Sequence, residues 1–205
     1  MNPLPRPSRS NGSTWRALRA RALALLTGEG SVHRALLDRI GRSPANYVLV
    51  LGCGSTALVD ALERRFRRAG VFAIDEDIPA FHRAIREAKR TGSRVNYDWS
   101  KLTSLPFPSD GIDVLVGRYL LARYPPDVAL DVLKEACRVV RPGGEIYLVE
   151  PAAVRTWWNQ NPKEGQQQYL GEYLLRKAGF KAYATAERIP TLRGPMTLFE
   201  AIKPL

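Results

Sequence analysis

A chain of 205 residues is long enough for one well-buried domain and too short for two ordinary ones. Its 45% hydrophobic and 25% charged residues are globular values, and no apolar run approaches the roughly 20 residues of a membrane span. The formal charge of +11 is unevenly spread. Residues 1–45 carry eight arginines against Glu29 and Asp38, whereas residues 95–151 carry eight acids against six bases. A basic amino end favours encounter with polyanions such as RNA or acidic lipid surfaces, and it equally serves as a solvated surface. The two cysteines, Cys53 and Cys137, make neither a disulfide framework nor a zinc site, and the expectation is reduced thiols in a cytoplasmic protein.

The first twelve residues, "MNPLPRPSRSNG", are rich in Pro, Ser and Arg, lack a signal-peptide core, and read as a disordered lead-in. Trp15, Leu18, Ala22 and Leu25 then fall at helical spacing after the N-cap candidates Ser13 and Thr14, with Gly28 and Gly30 as the stop. A second short helix, "SVHRALLDRIG", completes a helical extension over residues 13–45. Beyond it, apolar runs alternate with amphipathic segments. The strands are "YVLVL", "VFAID", the weaker "RVNYD", "IDVLVG" and, after the turn "RPGG", "EIYLVE". The helices run through "ALVDALERRFRRAG", "IPAFHRAIREAKR" and "PDVALDVLKEACRVV". Such alternation predicts βαβ units, a parallel sheet and helices on both faces. The ending differs: a helix over "QQQYLGEYLLRKAGF" precedes the strands "KAYATAERI" and "MTLFEAIKP", a hairpin at one sheet edge.

Ligands of a doubly wound sheet bind past the carboxyl ends of its strands, so the residues there carry the chemistry. Past strand one stand Leu51, Gly52, Cys53, Gly54 and Ser55, small residues that let backbone approach a ligand at a helix start. Past strand two is Asp75, followed by Glu76 and 21 residues beyond Gly54, the separation at which an acid meets ribose hydroxyls. Its other role is to favour the dipole of the next helix. Past strand three, Asp98 is placed to accept from an exocyclic amine and Trp99 to cover a ring; alternatively they cap a turn and fill a gap. Three fitting strand ends in order favour a cofactor.

The segments "VLVLGCGST", "FAIDED", "YDWSKLTSLPFPSDGIDVLVGRYLLARYPPD", "VLKEACRVVRPGGEIYLVEP" and "YLLRKAGF" together resemble class I S-adenosylmethionine-dependent methyltransferases. The resemblance covers about residues 46–203, is most specific over Leu105–Pro151, and points to the broad small-molecule-type group. It implies a Rossmann-like α/β domain over residues 46–205, with a doubly wound seven-stranded sheet whose last strand is antiparallel. It also implies S-adenosylmethionine as cofactor. Gly52 and Gly54 would approach the methionine part, Asp75 the ribose, Asp98 and Trp99 the adenine, and Gly117 and Arg118 the methyl end. Two positions depart from the family pattern: Val50 stands where an acid is usual and Thr56 where a third glycine is usual. Both are also altered in the "LVLGCGNS" form of elongation-factor lysine methyltransferases, which this turn resembles too. Ala122 and Arg123 stand where many relatives carry histidines.

Methyl transfer is an in-line displacement from a sulfonium carbon, so positioning supplies much of the acceleration. Glu150 and Tyr119 are the candidate bases. Glu150 reads better as a turn cap, and Tyr119, with a reference pKa near 10, as a pocket wall. His33 and His82 pair with no nucleophile, and no metal site is visible. Trp157 and Trp158, with Tyr119, are candidate acceptor-binding residues. The expected acceptor is a small molecule. The alternatives are RNA or protein, met through the basic amino end, or a non-catalytic binding protein. A dehydrogenase is disfavoured because Ala57, Leu58 and Val59 follow where its turn needs glycine.

Overall fold

The computed structural model describes residues 29–40, 45–54, 56–152, 166–191 and 194–205. The helix expected over residues 13–28, Ser55 and the pair Trp157–Trp158 lie outside the described residues. In chain order the elements are α1 (Glu29–Arg39), β1 (Tyr47–Leu51), α2 (Thr56–Arg65), β2 (Gly70–Asp75), α3 (Ile78–Thr91) and β3 (Asn96–Trp99). There follow β4 (Ile112–Arg118), α4 (Leu120–Arg123), α5 (Pro126–Val139), β5 (Val140–Pro151), α6 (Gln166–Lys177), β6 (Lys181–Ile189) and β7 (Met196–Ile202).

The strands form one seven-stranded sheet in the order β3-β2-β1-β4-β5-β7-β6. β1 to β5 pair parallel, and β7 is antiparallel to both β5 and β6. The hairpin expected at the edge is present, with β7 turned inward and β6 outermost. Strand order reverses between β1 and β4, which opens the crevice that ligands of such sheets use.

Period-two alternation divides the core into two layers. Leu49, Leu51, Leu115, Ile146 and Leu148 face α5 and α6. Val48, Val50, Val114, Val116 and Tyr147 face the opposite layer, which contains Val32 and Leu36 of α1, Ile40 just after it, and Leu58, Val59 and Leu62 of α2. Thus α1 is part of the domain's core. Gly30, expected to stop the preceding helix, is the second residue of α1. α3 shows its boundaries in sequence: Asp77 caps it by accepting from Ala80 N at 2.9 Å, Pro79 occupies its first turn, and Gly92 ends it at φ 70°.

The most family-specific stretch of sequence is a structural clasp. Glu135 of α5 accepts from Leu105 N at 2.7 Å, and Arg138 donates to the carbonyls of Phe107 at 3.0 Å and Leu105 at 3.2 Å. Glu135 and Arg138 also pair with each other at 2.7 Å. Hence "LPFP" is tied to α5, and the entry of β4 follows from it. Among the described residues no helix is long and apolar enough to cross a membrane.

Gly171 of α6 faces Phe199, and a Cβ there would lie 2.5 Å from Cζ and 3.0 Å from Leu121 Cδ1. Gly171→Ala gains about 1 kcal/mol of helix propensity but overpacks a closed layer at a cost of about 1–3 kcal/mol. We expect net destabilisation in urea unfolding; a higher midpoint would show that Phe199 yields freely.

Candidate functional site

The carboxyl ends of β1, β2, β3 and β4 converge at the crevice. Gly52 follows β1 with φ 86°, and a Cβ there would meet Arg118 O at 3.1 Å. Backbone conformation and close approach therefore both demand glycine. Gly54 differs: among the described residues a Cβ there would meet no atom within 4 Å, so their packing gives no reason for its glycine. Cys53, between them, is fully buried, and burial pushes its thiol up to about 12, with the nearby Asp75 carboxylate acting in the same direction. It is inert as a nucleophile at neutral pH.

Asp75 ends β2 with its side chain only 3% exposed. Its Oδ1 accepts from Asp77 N at 3.0 Å and from Arg123 Nη1 at 3.0 Å. The other Arg123 nitrogen, Nη2, lies 3.9 Å from Asp77 Oδ2. Glu76 is also engaged: Oε1 accepts from Tyr124 Oη at 2.5 Å and Oε2 from Leu102 N at 3.2 Å. At the end of β3, Asp98 is exposed and accepts from Trp99 N at 2.8 Å. Trp99 is 46% exposed and donates from its indole to Glu76 O at 3.0 Å, which stands the ring beside the crevice.

Past β4 the chain makes a sharp turn. Tyr119 adopts φ 58°, a left-handed conformation uncommon for a non-glycine residue, and α4 begins directly after it. Glu150, fully buried on β5, accepts from Leu120 N at 2.6 Å and Ala122 N at 3.1 Å. It therefore caps α4 from another strand. The expectation of a capping role holds, but the capped element is α4, not a turn before Pro151. Burial pushes the Glu150 carboxyl up to about 8, against the opposing pull of the backbone N–H groups and Arg118. Arg118 stacks over Tyr119, with its guanidinium 4.8 Å from the ring centroid. Gly117 is dictated by packing: a Cβ would lie 2.5 Å from Leu120 Cδ1 and 2.7 Å from Leu148 Cδ2.

A profile of the methyltransferase-domain family matches residues 48–144, from β1 through the turn in β5. Over those residues the chain resembles a methyltransferase domain. Its fold is that of the class I S-adenosylmethionine-dependent methyltransferases, whose cofactor is S-adenosylmethionine. A methyltransferase of this dependence from Aquifex aeolicus is 16% identical with a TM-score of 0.66, over 87% of this chain and 91% of that one. The (4+2)-cyclase SpnF is 17% identical with a TM-score of 0.70, over 85% and 81% respectively. The structure of a methyltransferase complex with the Trm112 activator from Haloferax volcanii is 18% identical with a TM-score of 0.65, over 97% and 100%. No curated protein sequence matches the chain.

Within this fold the structure brings together Gly52–Gly54, Asp75, Glu76, Trp99, Arg118 and Tyr119. Sequence reading passed over Arg123 and Tyr124, which grip the end of β2. A signal was there. Three consecutive acids, Asp75 to Asp77, stand at the end of a buried strand and need a cation, and Arg123 is the first cation after β4.

Glu150 links the domain's stability to pH. A folded pKa raised above the ordinary carboxyl value of 4.5 means that the native state holds the proton more tightly than the unfolded chain. The contribution is present below about pH 4.5 and is lost as pH rises through about 8. Glu150→Gln removes one acceptor from the α4 N–H groups, costing about 1–2 kcal/mol at low pH. Urea unfolding at pH 5, 6, 7 and 8 should show the gap to wild type narrowing as pH rises. A widening gap would show that Glu150 is ionised in the fold.

Proposed function

We propose that this chain is an active S-adenosylmethionine-dependent methyltransferase with a small-molecule acceptor, working in the cytoplasm. The observation that carries the reading is Gly54, whose bare Cα, among the described residues, faces open space where neither packing nor backbone conformation requires it. A ligand approaching the start of α2 supplies the missing reason. The remaining residues fit the cofactor. Gly52 and Gly54 admit its methionine part, Asp75 offers a carboxylate at the ribose position, and Trp99 with Asp98 borders the adenine. Leu51, Cys53 and Glu76 support these from behind as strand end, buried spacer and anchor of Trp99. Arg118 and Tyr119 border the acceptor side.

S-adenosylmethionine when bound supplies an activated methyl on a sulfonium and an uncharged thioether leaving group. The protein's share is placement and exclusion of water. Tyr119, fixed by its left-handed turn and by Arg118, forms a wall on the acceptor side. Glu150 is committed to α4 and is not free to take a proton from an acceptor, so no general base is assigned to it. Val50 is fully buried in the apolar layer of Val59 and Leu62, so no carboxylate from that position reaches the methionine amino group. The choice of a small acceptor rests on the resemblance over Leu105–Pro151.

Calorimetric titration with S-adenosylmethionine and its demethylated product tests the reading. Binding of both is expected, and its absence at millimolar ligand would remove the enzymatic reading. Asp75→Ala should weaken binding by about 1–3 kcal/mol through lost ribose hydrogen bonds. The acceptor class is tested with the basic end. RNA binding by the intact chain that falls with salt and disappears without residues 1–45 would replace the small molecule with a nucleic acid.

A further inference from the structure

We propose that Arg123 guards the ribose position: its guanidinium holds the Asp75 carboxylate and has to leave when ribose hydroxyls arrive. This rests on Asp75 being the ribose acceptor. The argument is an account of lone pairs. A carboxylate offers about four acceptor sites, two on each oxygen. Asp77 N at 3.0 Å and Arg123 Nη1 at 3.0 Å fill both sites of Oδ1. Sites to spare remain on Oδ2. A vicinal diol gripped in bidentate fashion needs one on each oxygen. Asp77 N is fixed by the backbone that enters α3. Arg123 is the partner able to move.

The surroundings give it somewhere to go. The Arg123 side chain is 31% exposed over an Asp75 side chain that is 3% exposed, so the cation lies on the solvent side of the buried acid. Nη2 already lies 3.9 Å from Asp77 Oδ2, and that side chain is 44% exposed. A rotation of the guanidinium toward Asp77 releases Asp75 and keeps an ion pair. The backbone does not need to follow, because Glu150 pins the amino end of α4 and Tyr124 pins its other end to Glu76. Without ligand, Arg123 neutralises a buried carboxylate that would otherwise be costly. With ligand, the hydroxyls assume part of that work. Arg123 is therefore a positioning residue that sets cofactor affinity.

Titration of wild type, Arg123→Gln, Asp75→Asn and Asp77→Asn with the demethylated cofactor product, alongside thermal unfolding, tests this. Arg123→Gln is expected to bind about tenfold more tightly, within the usual range of coupling between sites, while melting at a lower temperature. A merely structural arginine would lower affinity and melting temperature together. Asp77→Asn keeps the cap of α3 but removes the second carboxylate, so it should bind more weakly than wild type. Arg123→Lys retains a charge without the planar fork and should lie between wild type and Arg123→Gln. Equal or weaker binding by folded Arg123→Gln, with Asp75→Asn weakened, overturns the guard and leaves the ribose reading intact. Should Arg123→Gln fail to fold, unchanged affinity in both Arg123→Lys and Asp77→Asn overturns it instead. Asp75→Asn binding like wild type, or no binding by any form, overturns the ribose placement and the guard together.

Discussion

Two buried acids end two strands on the same edge of the sheet, and a four-residue helix answers both. Asp75 closes β2 and Glu150 stands near the end of β5, with β1 and β4 between them. At strand spacings near 4.8 Å the two strands lie roughly 14 Å apart. α4 spans that gap: its first N–H groups bind Glu150 and its last residue, Arg123, binds Asp75. The helix thus lies across the place where strand order reverses. Everything that lines the crevice past β4, including the left-handed Tyr119, is held by this strut.

A cap supplied from another strand differs from a local one. The usual N-cap is the residue before the helix, which here is Tyr119 and offers no side-chain bond. α4 is far too short to be stable by its own propensity. A buried carboxyl with two acceptors facing its free N–H groups replaces what sequence-local capping would give. The same burial that makes this anchor strong raises its pKa. The arrangement therefore carries its own pH sensitivity.

The strands and their order were legible because their signals are local. β1 and β6 have the residues that alternation predicted, and the helices agree to within three residues at their ends, except that α2 stops at Arg65, five residues before its expected end. β5 is longer than its apolar run, since "RPGG" continues its pairing through an irregularity opposite Ile112 and Val114. α4 was illegible: four residues hold no period, and its cap is 30 positions away from Leu120. Site reading failed in the same way at Arg123. Its meaning comes from Asp75, 48 positions earlier, and only pairing across strands brings the two together. The glycines show the converse. Gly52, Gly54 and Gly117 look alike in sequence, but a turn conformation fixes the first and packing fixes the third. Only the second is left for a ligand to explain.

These observations reframe the altered glycine turn. The positions that depart from the family pattern, Val50 and Thr56, sit where the fold is apolar or already helical, and both are compatible with the sheet. The departure with chemical consequence lies across the crevice. On the proposed reading, a cofactor meets a turn without an acid for its amino group and a ribose acceptor already held by a cation. Both features act on affinity and neither acts on the identity of the ligand. Charge explains why they belong together: Asp75 lies in the interior, where a carboxylate without a charge or hydrogen-bond partner is costly. Arg123 is the partner the fold supplies. If Asp75 is the ribose acceptor proposed above, the strength with which the domain holds a cofactor follows from how readily that one guanidinium exchanges Asp75 for Asp77.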